Sequence, residues 1–263
     1  MITKAKPLSR YKSRVARALL LAAMTGWLLV GLQGALRPAV AADETSQDQL
    51  DQRIHDYILA HPEVIMEALQ KLDAQQRETE AAAGKATLAA RGDDLFRDKK
   101  SPVGGNAEGN VTMVEFFDYN CPYCSQVMPV MEQAVADDPQ LKIVYKEFPI
   151  LGPDSVFAAK AALAAERQGK YAAFHKALFS TRTRVTESVV LRVAAETGLD
   201  VTRMKTDMQQ ADIQGLIDRN IELAQALRIT GTPGFVVGEQ IFPGATDLAT
   251  MKKLIEQARA LQK

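Results

Sequence analysis

The only two cysteines of the sequence lie in one short segment, Cys121-Pro122-Tyr123-Cys124. Proline suits the first position of a helix, so this segment predicts a helix that begins at Pro122 with Cys121 as its N-cap. At that position the sulfur faces unpaired backbone N–H groups and the positive end of the helix dipole, which lower the pKa of a thiol. We expect Cys124, one turn further in, to keep a higher pKa. The pair therefore predicts a redox dithiol in which Cys121 attacks a disulfide and Cys124 resolves the mixed disulfide.

Two other interpretations of the cysteine pair are half of a metal site and an inert short-loop disulfide. The three histidines, His55, His61 and His175, lie far from the cysteines in sequence, so a metal site would lack its other ligands unless subunits shared it. An inert bridge across so small a loop would add little stability. We therefore expect redox catalysis with no metal and no cofactor.

Three further residues are candidates for the site. Thr232 and Pro233 stand before a predicted strand in a turn flanked by glycines, where a cis peptide bond is plausible and an ordinary trans turn is the alternative. Glu115 interrupts an apolar strand six residues before Cys121. A buried carboxylate there would have a raised pKa and could relay the proton of Cys124. The alternative for Glu115 is a side chain at the strand end that reaches water.

Strands and helices that position these residues follow from the apolar pattern. The continuous apolar run 111–117 predicts a strand buried on both faces, a helix follows from Pro122 to about Val135, and 141–148 reads as a second strand. Strand, helix and strand in this order predict a βαβ unit. Residues 153–227 have helical spacing and predict a helical insertion. A hairpin over 235–242 and a helix from about Asp247 to Leu261 complete the domain.

The region before this domain has a different composition. Residues 42–100 are rich in Gln, Glu, Asp and Ala, and their apolar positions follow a helical spacing that fades after Leu72. Pro62 predicts a boundary between a short helix and a second one. Because so thin an apolar stripe cannot bury itself alone, we expect a helical arm that joins subunits, with packing on its own chain or free extension as the alternatives. Residues 101–109 read as a turn-rich connector to the domain of 101–263.

The N-terminal segment reads as an export signal. Residues 1–17 are basic, 18–36 are almost wholly apolar, and Ala39-Val40-Ala41 suits cleavage after Ala41. The alternative is an uncleaved anchor, since about 19 apolar residues nearly span a bilayer. Either way the body lies outside the cytoplasm, in the periplasm, where cysteine pairs are oxidised. Of the 32 Lys and Arg that balance 32 Asp and Glu, seven lie in these 41 residues, so the body is acidic and nucleic-acid binding is not expected.

The segment Phe116-Phe117-Asp118-Tyr119-Asn120-Cys121-Pro122-Tyr123-Cys124, the helical insertion and Gly231-Thr232-Pro233-Gly234 together resemble the DsbA family of exported thiol-disulfide oxidoreductases. The resemblance covers about residues 105–263. It implies an α/β thioredoxin fold with an inserted helical domain, a cis bond before Pro233, and Cys121 as the nucleophile beside that proline. Glu115 matches the buried acid of the family in its spacing from the first cysteine.

The sequence departs from DsbA itself at two positions, where Tyr123 replaces a histidine and Thr232 replaces a valine. Both residues and the helical arm resemble the ScsC-like branch. The resemblance therefore implies an isomerase or reductase of exported proteins rather than a strong oxidase, with a membrane redox partner that resets the dithiol. The alternative is a thioredoxin-fold chaperone or a carrier of a soft metal such as Cu(I), for which two thiolates are suitable ligands.

Overall fold

The structure is a computed structural model that describes residues 41–261. The predicted export signal and its apolar run lie outside the described residues. The chain divides after Ile65 into two compact units; α1 (Ala41–Ala60) belongs to the first, and the sheet belongs to the second. Within residues 41–261 no helix combines the length and the apolar character needed to cross a bilayer.

Five strands and nine further helices follow α1 in the described chain. The helices are α2 (Glu63–Ala90), α3 (Gly92–Phe96), α4 (Pro122–Asp137), α5 (Pro153–Glu166), α6 (Tyr171–Phe179), α7 (Glu187–Glu196), α8 (Val201–Asp207), α9 (Ala211–Ala226) and α10 (Leu248–Ala260). The strands are β1 (Val103–Gly105), β2 (Val111–Phe117), β3 (Leu141–Glu147), β4 (Gly234–Val237) and β5 (Gln240–Pro243).

The strands form one mixed sheet in the order β1-β3-β2-β4-β5. Strands β2 and β3 are parallel, with Phe117 opposite Glu147, and the other pairs are antiparallel. The predicted βαβ unit, the terminal hairpin and the last helix are confirmed. Together with five helices between β3 and β4, they give the expected thioredoxin fold with a helical insertion.

Each face of the sheet is covered by its own apolar layer. One layer contains α4, α10 and most of the insertion. It includes α5, whose alanines are buried on nearly every side of the helix. The other is smaller and packs Val114, Phe116 and Val144 against residues of α9. Because both faces are covered, β2 is buried along nearly its whole length, as its continuous apolar run predicts.

Residues 88–105 pack on the sheet more closely than the sequence indicated. Leu88 and Leu95 are buried in the smaller layer, although both lie in the region expected to form the arm. Strand β1 lies within the predicted connector and pairs with the outer edge of β3. A three-residue strand containing two glycines carries no clear periodic pattern, so the sequence alone did not indicate it.

Candidate active site

The loop between β2 and α4 holds the cysteine segment in place through two polar side chains. The Asp118 carboxylate accepts hydrogen bonds from the backbone N–H groups of Asn120, at 2.8 Å, and Leu151, at 2.9 Å. The Asn120 side chain bonds both the N–H and the carbonyl of Val185 in the helical insertion. Both residues therefore shape the loop, and Asn120 also ties it to the insertion.

Cys121 occupies the N-cap of α4 with an extended backbone, and Pro122 is in the first turn. Its sulfur lies 3.2 Å from the carbonyl oxygen of Thr232, to which the thiol donates when it is protonated. The pKa of Cys121 is lowered to about 5, first by a hydrogen bond from the Cys124 thiol. Burial opposes this effect, while the Thr232 side chain and the N–H groups of Cys124 and Tyr123 lower the pKa further. Cys121 is therefore a thiolate at neutral pH.

Cys124 lies one turn into the helix and is buried. Burial raises its pKa, and the hydrogen bond to Cys121 and the charge of Glu115 raise it further. The two thiols therefore differ strongly in acidity, with the outer one ionised and the inner one protonated at neutral pH. This is the asymmetry that a helix beginning at Pro122 predicts.

Thr232 and Pro233 lie against the cysteine pair although more than 100 residues separate them in sequence. The peptide bond between them is cis, as predicted. The turn precedes β4, which pairs with β2, and this pairing brings the turn to the same end of the sheet as Cys121. The structure thus brings together Cys121, Cys124, Thr232 and Pro233.

Glu115 lies in β2, close enough to both cysteines for its charge and theirs to interact. Its side chain is buried, and its Oε2 atom has no hydrogen-bond partner among residues 41–261. Burial, and then the charge of Cys121, raise the pKa of Glu115 to about 8. The carboxyl is therefore largely protonated at neutral pH and does not reach water, which excludes the strand-end alternative.

The structure also contains a buried polar cluster, of which only one member, Glu147, carried a signal in the sequence. Its members are Glu147, Tyr119, Tyr171 and His175. The hydroxyls of Tyr171 and Tyr119 donate to Glu147 Oε1 at 3.0 and 3.3 Å, and Tyr119 also contacts His175 Nδ1 at 2.9 Å. Burial raises the pKa of Glu147, and it lowers the pKa of His175 to about 3, so the imidazole is neutral at pH 7.

A signal for Glu147 was present in the sequence. It ends the second apolar strand, and parallel pairing with the first strand places it beside Phe117. Lys146, its neighbour, is buried on the opposite face of the sheet, where its Nζ donates to Ser101 Oγ at 2.8 Å and to Asp98 Oδ2 at 3.0 Å. Alternation along β3 therefore separates Lys146 from Glu115.

Across residues 41–261, no group of three or more His, Cys, Asp and Glu could hold a metal ion.

Comparisons with known families match two parts of the chain. The family described as DSBA-like thioredoxin domain matches residues 112–256. The family described as copper resistance protein ScsC N-terminal domain matches residues 47–78. The first match covers the sheet, the cysteine pair and the insertion, and the second covers parts of α1 and α2.

Individual relatives show the same pattern. The thiol:disulfide interchange protein DsbA of Bordetella pertussis is 27% identical over 193 residues, which are 67% of this chain and 91% of that protein. A thioredoxin-like oxidoreductase from Silicibacter pomeroyi is 46% identical, with a TM-score of 0.63 over 64% of this chain and 97% of that one. A linker-deletion variant of Proteus mirabilis ScsC is 26% identical, with a TM-score of 0.65 over 87% of this chain and 99% of that one.

Some curated relatives are much longer than the aligned region. The Na(+)/H(+) antiporter NhaA 3 of Salinispora tropica is 28% identical over 160 residues, and the match spans 24% of the length of the antiporter. A second Salinispora antiporter, NhaA 1 of Salinispora arenicola, gives the same share.

Proposed function

The chain belongs to the DsbA-like thioredoxin family, and we propose that it is an exported thiol-disulfide oxidoreductase that acts on protein disulfides. The observation that carries this proposal is the asymmetry of the dithiol. Cys121, at the start of α4, has a pKa of about 5, whereas the pKa of Cys124 is raised by burial. A thiolate at neutral pH is the nucleophile that disulfide exchange requires.

In the proposed reaction, the Cys121 thiolate attacks one sulfur of a client disulfide and displaces the other sulfur as a thiolate. Cys124 then loses its proton and attacks the Cys121 sulfur of the mixed disulfide. A disulfide between Cys121 and Cys124 forms, and the client leaves as a dithiol. The protein is oxidised by two electrons and the client is reduced by two. In isomerisation, the thiolate of a different client cysteine attacks the client sulfur of the mixed disulfide instead. A new client disulfide forms, and Cys121 leaves as a thiolate.

The other site residues have supporting roles in this proposal. The Glu115 carboxylate, ionised in part near its pKa of about 8, accepts the proton of Cys124. The carbonyl of Thr232 contacts Cys121, and the Thr232 side chain stabilises the Cys121 thiolate. Pro233 follows this carbonyl directly and has no N–H group that could compete as a donor beside the sulfur.

Isomerase or reductase activity is favoured over strong oxidation by the residue between the cysteines. The side chain of Tyr123 is 60% exposed and is a neutral phenol. It gives the Cys121 thiolate less electrostatic stabilisation than an imidazolium would. The reduced dithiol is therefore less favoured, and the disulfide is a weaker oxidant.

Assembly through the arm supports the same assignment. Within α1 and the first half of α2, large apolar side chains are exposed: Leu50, Ile54, Tyr57, Leu59, Ile65, Met66, Leu69 and Leu72. We propose that residues 43–92 of the arm join subunits through these side chains. Joined catalytic domains would offer a misfolded client a second binding surface at high effective concentration.

Location and partners complete the proposal. The basic and apolar segment 1–41 directs export to the periplasm, with cleavage after Ala41. Clients are exported proteins with disulfides or free thiols. After each reaction, a membrane redox partner returns the cysteine pair to the oxidation state in which it reacts with clients.

Trapping of mixed disulfides tests the proposed function. With Cys124→Ser, the mixed disulfide at Cys121 is not resolved, so the variant should accumulate covalent complexes with a disulfide-containing client on non-reducing gels. Cys121→Ser is the matched control and should trap none. Equal trapping by both variants, or trapping by neither, would contradict the assignment of Cys121 as nucleophile.

Soft-metal carriage is the second candidate function. The description of the N-terminal family names copper resistance, and two thiolates of one Cys-x-x-Cys suit Cu(I). A carrier with the Cys124→Ser change would lose Cu(I) affinity without trapping clients. The same variant therefore separates the two functions.

A further inference from the structure

A groove runs from the cysteine pair to the C-terminal half of α2. Its volume is about 710 Å³, within the range of about 300–1,000 Å³ that is common for ligand pockets. Tyr123, Thr232 and Pro233 line one end, next to Cys121, whose sulfur lies 3.2 Å from the carbonyl of Thr232. One end of the groove therefore lies beside the reacting sulfur, although neither cysteine is among its lining residues.

The lining of the groove is mainly apolar, with balanced charges. Leu88 of α2, Ile229 before the Thr232 turn and Ile241 of β5 contribute apolar side chains. Among the charged lining residues, Glu80 and Arg228 form an ion pair, and Lys85 and Glu239 carry opposite charges. Such a surface suits an extended polypeptide segment with apolar side chains rather than a charged small molecule.

A buried leucine and an exposed ion pair connect α2 with the rest of this unit. Leu88 is buried in the smaller apolar layer. Two turns earlier on the helix, Glu80 Oε1 lies 3.2 Å from Arg228 Nη1. Arg228 follows the C-cap of α9 with a φ of 57°, a left-handed conformation that usually takes glycine or asparagine at this place. The strained position thus carries the side chain that reaches α2.

Gly84 lies between these two contacts and faces the groove. Glycine inside a helix lowers its stability relative to alanine. A Cβ atom at this position would meet only Ile241 Cδ1, at 4.0 Å, which is an ordinary van der Waals distance. The backbone of Gly84 therefore does not require glycine for steric reasons. Its missing side chain leaves room between α2 and β5, and a large side chain would project into that room.

We propose that Gly84 and the Glu80–Arg228 ion pair are specificity determinants of the client site. Gly84 keeps the groove open, and the ion pair holds α2 as its wall. The occupant is an extended, apolar segment of the client that flanks the cysteine attacked by Cys121. This inference rests on the proposed function, since it assigns the binding surface of the same dithiol.

The test compares two disulfides on the full chain. One is a peptide disulfide with leucines flanking its cysteines, and the other is oxidised glutathione, which is too small to extend along the groove. Gly84→Phe should lower kcat/KM for the leucine peptide at least tenfold relative to kcat/KM for glutathione, through a higher KM. Ala83→Phe, on the exposed face of the same helix turn, should keep the wild-type ratio. An unchanged ratio in Gly84→Phe overturns the proposal.

A second variant removes the ion pair without adding bulk. Arg228→Gly suits the left-handed backbone, so the fold is retained, and it should raise KM for the leucine peptide at least threefold. The exchanged pair Glu80→Arg with Arg228→Glu should restore most of that loss. A peptide KM equal to that of the wild type in Arg228→Gly, or no rescue by the exchanged pair, contradicts the role of the ion pair. Failure of the wild type to react with glutathione would instead overturn the proposed function.

Discussion

At the scale of single residues, the chemistry depends on how the charge of one thiolate is stabilised. The Cys121 sulfur is stabilised by the Cys124 thiol, by Thr232 and by backbone N–H groups, all of which are neutral donors. Tyr123 adds no charge. The stability of the reduced dithiol relative to the disulfide therefore depends on hydrogen bonds and the helix dipole, without a neighbouring cation.

The reduction potential of the cysteine pair should reflect this neutral environment. We expect a value between those of thioredoxin and DsbA, about −270 and −120 mV. Tyr123→His introduces an imidazole that can become cationic beside the thiolate, so the potential should rise. Equilibration with glutathione measures both. A wild-type value at or above that of DsbA, or no rise in the variant, would count against this explanation.

Glu115→Gln should slow the resolution of the mixed disulfide. The amide cannot accept the Cys124 proton, so the complex between Cys121 and glutathione should persist at least tenfold longer, in line with the usual size of general base catalysis, about 10²–10⁴. Stopped-flow measurement of glutathione release checks this rate. The initial attack by Cys121 serves as an internal control. Equal release rates would remove Glu115 from the mechanism.

The same substitution should change how stability depends on pH. In the unfolded chain Glu115 ionises near the ordinary glutamate pKa of 4.5, whereas in the folded protein it holds its proton to about pH 8. Between these values the folded state binds more protons, so the free energy of unfolding falls as pH rises. In Glu115→Gln this fall should be smaller, by on the order of 3 kcal/mol across the window. Urea unfolding of the reduced wild type and of the reduced variant at pH 5 and pH 8 measures the difference. An equal fall in the free energy of unfolding in both proteins would contradict the raised pKa of Glu115.

The sequence predicted the reactive residues better than their surroundings. The cysteine pair and the burial of Glu115 follow from local signals, a spacing and one acid in an apolar run. The glycine-flanked turn left the cis bond at Pro233 open against a trans turn, and the family resemblance implied it. The cluster around Glu147 depends instead on pairing between β2 and β3 and on a helix of the insertion. His175 and Tyr171 reach it only through tertiary packing, which no local pattern encodes.

At the scale of elements, one edge of the sheet is formed by a segment with a weak sequence signal. The segment from α3 to β1 is held by buried Lys146, whose Nζ donates to the carbonyl of Asp94 at 2.7 Å, to Asp98 and to Ser101. A lysine in the apolar strand 141–148 was a sign of this arrangement, but its partners lie 45 to 52 residues earlier. The long βαβ elements were predictable because their periodicity is local.

Lys146→Met should destabilise this edge. The change keeps an apolar stem but leaves the carbonyl of Asp94 and the hydroxyl of Ser101 without their donor, at a cost of about 2 kcal/mol in the free energy of unfolding. Lys142→Met, on the same strand with a partly exposed side chain, is the matched control and should shift the urea midpoint little. Equal midpoints for the two variants would show that Lys146 does not anchor the segment.

At the scale of the whole molecule, the arm and the catalytic domain have separable roles in the proposal. Redox exchange is local to each Cys121–Cys124 pair, whereas rescue of a scrambled client requires joined domains. A deletion that reaches Ser101 would remove Leu88 and Leu95 from the apolar layer under the sheet. A truncation that separates the two roles should therefore end before Glu80.

A chain that begins at Thr79 should be monomeric, should keep dithiol exchange with glutathione, and should lose most of its ability to rescue a scrambled disulfide substrate. Sedimentation of the mature full chain and of the shortened one measures assembly. A monomeric full chain at micromolar concentration would remove the assembly premise. Full rescue by the shortened chain would mean that the arm has another purpose.

The central claim is that Cys121 is a thiolate at neutral pH while Cys124 is not. Thiolate absorbance in the ultraviolet, followed across a pH titration of the reduced protein, tests it most directly. We predict one ionisation with the amplitude of a single thiolate and a midpoint near pH 5, which Cys121→Ser abolishes. A first midpoint near the pKa of a free thiol, about 8.5, or two thiolates titrating together, would contradict it.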